Sequence, residues 1–366
     1  MPELGLYALP FGFGPASKAV AVAQAVAARS SSPVGWTFVS SGIGLELLRR
    51  SGLQGEWCDT GKLDADDALA DRLVEKLDGM IVVMHRQWAH LLAPRLPVFS
   101  VDSLAHMWQP DAFEAFPGFR HIARYYVQDL FGAYDAMRRT SVPNVVPVRP
   151  ITAQGTGRAA RRTQRPLFHL GGLLTPFTDE RADVYVAGVV QLMRTLAPEA
   201  VLLTSEEAAQ RFAPLLEGVE HDSSLGPSES IDAFAEAPVV YSSPGLTGLV
   251  EMCATRARMV PLPPANYSQL LTVRRFLRGW RDELPPVWTY LDDAYASIGD
   301  ELPEPEGVAQ VMDLNARLLK SPRFQREFAE AAGRAQGAEL TLPQGFCGPP
   351  LGADDIARDL TEYLHI

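Results

Sequence analysis

Pro238-Val239-Val240-Tyr241 is an apolar run that stops at Ser242-Ser243-Pro244-Gly245, and Leu246-Thr247-Gly248-Leu249-Val250-Glu251 then takes up a helical pattern at once. A second short strand, Met259-Val260-Pro261-Leu262-Pro263, follows, and the polar pair Ser268-Gln269 closes the unit. The order describes one strand-turn-helix unit of an α/β sheet. In such sheets ligands lie at the carboxyl ends of the strands, where small residues let the backbone approach and a helix start offers free N–H groups to phosphate. Glu251 falls two turns into the helix, where a carboxylate can accept hydrogen bonds from a ribose diol.

The spacing resembles the nucleotide-sugar signature of GT-B glycosyltransferases, in particular the branch with the MurG-type and macrolide-type enzymes. In that pattern a Ser/His-Gly turn precedes a Glu on the next helix, then a Pro-ended strand, then an acidic or amide residue with Gln. Gly245, Glu251, Pro263 and Gln269 occupy those slots in order. Ser243-Pro244 stands where the family has His-Gly or Ser-Gly, Arg256 and Arg258 where Gly and Pro are usual, and Ser268 where an acidic residue precedes the Gln. The resemblance implies an α/β fold of GT-B type, with two Rossmann-like βαβ lobes, a cleft between them and a C-terminal helix returning to the first lobe.

The chain has 366 residues, enough for two domains with a core in each. Its hydrophobic content of 47% and charged content of 21% are those of an ordinary globular protein. A formal net charge of −11 argues against nucleic-acid binding, because phosphate backbones reward clustered Lys and Arg. Cys58, Cys253 and Cys347 form no metal-binding or CxxC spacing and read as free thiols in a reducing compartment. The absence of a signal-peptide pattern and of any apolar stretch of about 18 residues predicts a cytoplasmic protein with no membrane span.

Strands and helices alternate through the first half, at 5–10, 16–29, 35–40, 44–50, 56–59, 65–77, 80–84 and 98–101, which implies βαβ units and a mainly parallel sheet. His121, Arg124 and Tyr125 read as part of a helix. Residues 1–150 form the expected N-terminal acceptor-binding lobe. A Gly/Thr/Gln/Arg-rich linker follows at 151–165. The C-terminal nucleotide-sugar lobe spans 166–345, and 346–366 is the expected C-terminal segment and crossing helix. Asp282 to Pro305, rich in Pro and acidic residues, carries no helical expectation.

For chemistry, Gly12-Phe13-Gly14 follows the first strand, and the resemblance makes it an acceptor-facing loop. Family members place a catalytic His just after this loop, but here the position holds Pro15. A general base is therefore sought at the other strand ends of the first lobe: Asp102 first, then His85 and His106. Trp88 and Trp108 are candidates to wall an acceptor pocket. In the second lobe Gly171-Gly172 closes a strand and gives phosphate access to the backbone, with Thr175 as a hydroxyl donor. Ser243, Gly245, Thr247 and Gly248 surround the diphosphate, while Asn266 and Gln269 reach sugar hydroxyls. The resemblance makes Leu225-Gly226-Pro227-Ser228 the loop that holds the nucleobase through main-chain groups.

No metal-ligand cluster is evident; Asp64-Ala65-Asp66 falls at a helix start rather than at a strand end. These readings, with the resemblance, imply a metal-independent, inverting transfer of sugar from a nucleoside diphosphate, UDP by default, to a small natural-product or amino-sugar acceptor. No further cofactor is implied, and a homodimer is allowed. Two alternatives stay open: a nucleotide-sugar epimerase of the UDP-GlcNAc 2-epimerase type, and a catalytically silent binding partner.

Overall fold

The structure, a computed structural model, describes residues 1–61, 65–109, 111–155, 165–174, 179–335, 341–343, 345–346 and 348–366. The chain divides into two compact units, one of Met1–Gln154 with Cys347–Ile366, the other of Gly155–Phe346.

The first unit runs β1 (Glu3–Ala8), α1 (Phe13–Arg29), β2 (Gly35–Ser40), α2 (Gly42–Arg50), β3 (Glu56–Asp59), α3 (Asp67–Lys76), β4 (Gly79–Val83), α4 (Arg86–Leu92), β5 (Val98–Asp102), β6 (Arg124–Gln128), α5 (Ala133–Met137) and β7 (Val145–Val148). Its sheet has seven strands in the order β3-β2-β1-β4-β5-β6-β7, and all its pairings are parallel. Such strands are buried on both faces and read as near-continuous apolar runs, as Met80-Ile81-Val82-Val83 does.

This burial explains one correction. Arg124 and Tyr125 lie on β6 rather than on a helix, and His121 ends a 3-10 turn at Pro117–His121. Tyr125 and Val127 enter the core on one side of the sheet and Tyr126 the core on the other. A strand with no polar face has no period-2 signal, so β6 escapes a pattern reading.

The second unit runs β8 (Leu167–His169), α6 (Arg181–Leu196), β9 (Val201–Leu203), α7 (Glu206–Arg211), β10 (His221–Asp222), α8 (Pro227–Glu236), β11 (Val240–Ser242), α9 (Leu246–Thr255), β12 (Met259–Pro261), α10 (Tyr267–Trp280), α11 (Pro286–Ala294), α12 (Glu304–Leu318) and α13 (Pro322–Ala335). Its five parallel strands are ordered β10-β9-β8-β11-β12. The Pro-rich segment from Asp282 to Pro305 holds α11, whose first residue is Pro286. Proline suits a first helical turn because the N–H it lacks would have no partner there.

The last helix, α14 (Gly352–Leu364), packs on the first unit. Ala353, Ile356, Ala357 and Leu360 join the cluster formed by α1, α2 and one sheet face. Asp359 accepts from Arg124 Nε at 2.9 Å and from the Tyr126 hydroxyl at 2.7 Å, and Arg149 clasps Asp355 with two hydrogen bonds of 2.8 and 2.7 Å. A Cβ on Gly352 would lie 2.0 Å from the Arg149 carbonyl oxygen, so the helix start lies directly against the backbone that follows β7.

Candidate functional site

In each sheet the strand order reverses beside the unit's first strand: between β1 and β4, and between β8 and β11. Open α/β sheets bind ligands outside the strand carboxyl ends at such a reversal. In the second unit β8 and β11 pair directly, with His169 opposite Ser242 as their last residues. Gly171-Gly172 follows the first strand, and Ser243-Pro244-Gly245 leads from the second into α9. Gly172 takes φ +70°, a left-handed conformation that favours glycine. Gly245 is the N-cap of α9, and no side chain caps that end. The start of a ten-residue helix thus opens onto the reversal point, where its N–H groups and dipole favour an anion.

The amides at the start of α10 hold the first glycine turn in place. Gln269 Nε2 donates to the Gly171 carbonyl at 2.9 Å and Asn266 Nδ2 to the Gly172 carbonyl at 3.1 Å. Their oxygens are also engaged: Gln269 Oε1 accepts from Ala265 N at 2.7 Å, and Asn266 Oδ1 caps α10 through Gln269 N at 3.0 Å. Both amides therefore position the turn, and each NH2 group keeps a second N–H beyond the bond it makes to a glycine carbonyl. Ser243 also turns inward; it is buried, with its Oγ 3.2 Å from the Tyr185 hydroxyl, which itself donates to the Pro263 carbonyl at 2.8 Å. Glu251 is buried on α9, and Thr247 and Gly248 occupy its first turn. Thr175 lies outside the described residues.

His169 escaped the sequence reading as a site residue. Its Nδ1 is 3.0 Å from Ser242 Oγ, which donates to the Ser243 carbonyl at 3.1 Å. With the hydroxyl proton used there, Nδ1–H is the donor and Nε2 carries the lone pair. Burial pushes the imidazole down to about 4, so the ring is neutral at physiological pH. A histidine ending an apolar strand, separated from Gly171-Gly172 by one residue, was the available signal.

In the first unit, helix α1 begins at Phe13, with Gly12 as its N-cap at φ +60°. Phe13 and Gly14 are therefore helical rather than loop residues, and only Gly12 forms the turn. The ends of β4 and β5 collect the base candidates. Asp102 is buried, and three donors meet its carboxylate: Leu104 N at 2.7 Å on Oδ1, then Trp108 Nε1 at 2.6 Å and the Tyr125 hydroxyl on Oδ2. This arrangement fastens the segment after β5 and leaves Oδ1 with one donor against two on Oδ2. His85 caps α4, its Nδ1 accepting from Trp88 N at 3.3 Å. In the neutral ring Nε2 then carries the proton, so His85 donates there rather than accepts.

His106 sits in a 3-10 turn at Ala105–Met107, its ring edge-on to Phe131 at 5.1 Å between centroids. Phe131 and Met84 have φ +56° and +68°, an uncommon conformation for such side chains that costs of order 1–3 kcal/mol and gathers at functional sites. Trp108 has the Arg86 guanidinium 4.3 Å above its ring and is half-buried. Trp88, by contrast, is wholly in the core and walls no pocket.

Among the described residues no group of three or more His, Cys, Asp or Glu could hold a metal ion, and no helix is long and apolar enough to cross a membrane. Asp66 caps α3 through Leu69 N at 3.1 Å, as its place at a helix start implied. Arg256, which stands where the resemblance has glycine, takes φ +54° at the end of α9. Arg256→Gly is therefore expected to stabilise the protein by about 1 kcal/mol, read as a raised urea midpoint at unchanged slope.

No family model matches the chain, and no curated protein matches it. Solved structures do. A UDP-GlcNAc 2-epimerase from Neisseria meningitidis bound to UDP-GlcNAc superposes with a TM-score of 0.55 at 10% identity, over 99% of this chain and 100% of that one. A putative UDP-N-acetylglucosamine 2-epimerase from Listeria monocytogenes gives 0.54 at 10% identity, over 99% and 96%. The spinosyn rhamnosyltransferase SpnG gives 0.51 at 14% identity, over 99% and 100%. The fold is thus that of the GT-B proteins, with two Rossmann-like units and a C-terminal helix that returns to the first.

Proposed function

We propose that this chain is a glycosyltransferase that moves a sugar from a nucleoside diphosphate donor, UDP by default, to a small-molecule acceptor. One observation carries the reading: two glycine turns and the uncapped start of α9 converge at the strand-order reversal of the second unit. Donated N–H groups at such a point balance the charge of a diphosphate, both bound and as leaving group. Thr247 in the first turn of α9 supplies a hydroxyl, and Glu251 is the candidate partner of the ribose.

The first unit supplies the acceptor and the base. Asp102, His85 and His106, which lie at or just after the ends of β4 and β5, are the candidates to take the acceptor proton. By the resemblance the displacement is direct and inverts the anomeric centre. The acceptor is of natural-product or amino-sugar type, and the protein works in the cytoplasm.

A second reading, a nucleotide-sugar epimerase, is favoured by the likeness of the whole chain to UDP-GlcNAc 2-epimerases. NMR of the protein incubated with UDP-sugars separates the two. The transferase reading expects donor consumption and a product of inverted anomeric configuration only when an acceptor is added. Epimerised sugar without an acceptor would support the second reading instead, and a retained configuration would contradict direct displacement.

A further inference from the structure

The imidazole of His169 occupies a place that neither glycine turn could fill for itself. A Cβ on Gly171 would lie 2.8 Å from His169 Cε1 and 3.3 Å from Nε2, while a Cβ on Gly248 would lie 3.8 Å from the same Cε1. Both glycines therefore present their bare Cα faces to one ring. One turn belongs to the end of β8, the other to the first turn of α9. The ring is fixed at three points: its own strand, the Nδ1–H bond to Ser242 on β11, and an edge-on contact with Phe234 on α8 at 5.1 Å between centroids. It is nevertheless half-buried rather than fully enclosed.

We infer that His169 is a positioning residue for the diphosphate, a spacer that sets the distance between the Gly171-Gly172 turn and the start of α9 so that both rows of N–H groups meet one ligand. The inference rests on the nucleotide reading above and names the residue that makes the two halves of that site act together. A spacer in this place has to be flat and polar at the edge facing Ser242. An imidazole meets both conditions. Asparagine keeps the hydrogen bond to Ser242 but not the ring that fills the gap. Alanine keeps neither, and phenylalanine keeps the ring without the bond.

The test combines UDP titration with two-dimensional NMR of the histidine side chains. For the wild-type protein, the resonances of His169, assigned by loss in His169→Asn, are expected to report a neutral Nδ1–H ring and to shift on addition of UDP. UDP affinity is expected to fall at least tenfold in His169→Ala, which keeps neither feature, and less in His169→Phe, which keeps the ring, with melting temperatures of the free proteins recorded alongside.

A wild-type protein that binds UDP with its His169 resonances unmoved, or a folded His169→Ala that binds UDP as wild type does, overturns the inference and leaves the nucleotide reading standing. A wild type that binds no nucleoside diphosphate overturns both. Because the wild-type spectra carry the first arm, a variant that fails to fold does not remove the test.

Discussion

Arg274→Ala is expected to cost about 2–4 kcal/mol of stability, chiefly from two buried carbonyls left without a donor, since the carboxylate partners of Arg274 are partly exposed. Arg274 is a buried residue of α10 whose guanidinium makes four bonds: Nε to Asp292 Oδ1 at 3.1 Å, Nη1 to the Ile298 carbonyl at 2.8 Å and to Asp300, and Nη2 to the Tyr295 carbonyl at 2.8 Å. Alanine leaves two buried carbonyls and the Asp292 carboxylate short of a donor, and each such loss carries a desolvation cost. Asp300 keeps Arg278, so its share of the loss is smaller. Arg274→Lys should fall between, since an ammonium on a single stem cannot reproduce a planar fork with four acceptors. A urea midpoint lowered in the order wild type, Lys, Ala is the expected result. The consequence reaches the site, because α10 begins with Asn266 and Gln269, whose amides hold the Gly171 and Gly172 carbonyls.

The second large effect is on acid stability. His169 is held down to about 4 when folded, against about 6.5 for an ordinary histidine. Between those values the unfolded chain binds the proton and the folded chain does not, so stability rises with pH. The contribution is fully present above about pH 6.5 and is lost as the pH falls toward 4. The whole displacement corresponds to about 3 kcal/mol, and residual solvent contact of the half-buried ring reduces the expected loss to about 2 kcal/mol. Carboxylates titrate over the same range, so the measurement is a comparison: urea unfolding at pH 7 and pH 4.5 for wild type and His169→Asn. The variant should lose less stability on acidification than wild type, while equal losses would place the acid sensitivity elsewhere.

How far the sequence leads can be judged from particular residues. The strand, turn and helix from Val240 to Thr255 were legible because an apolar run, a Pro-Gly break and a helical pattern follow one another without interruption. Direction was harder to read than position. Ser243, Asn266 and Gln269 stand where ligand contacts are expected from the sequence, and their side chains also bond Tyr185 and the glycine carbonyls. A sequence shows which polar groups are near a turn, but not which of them the fold consumes.

Asp102 illustrates the same limit. It ends β5 as expected, and its two oxygens then meet Leu104, Trp108 and Tyr125, a set that only tertiary structure brings together. Strand β6 was hidden by burial on both faces, and α11 by its prolines. His169 was visible as a residue and silent as a site, since nothing local shows that one ring touches two glycine turns 77 residues apart in number, Gly171 and Gly248.

The central claim is that the second unit binds a nucleoside diphosphate through its glycine turns. Calorimetric titration of UDP, and of the other nucleoside diphosphates, into wild type and Gly172→Val tests it most directly. Gly172 sits at φ +70°, where a β-branched residue is strained, and a Cβ there would come 3.1 Å from Gln269 Nε2. The expected result is saturable binding to wild type and a loss of at least about tenfold, about 1.4 kcal/mol, in a variant whose circular dichroism is unchanged. Absence of binding by every nucleoside diphosphate, or equal affinity in the folded variant, would contradict the claim.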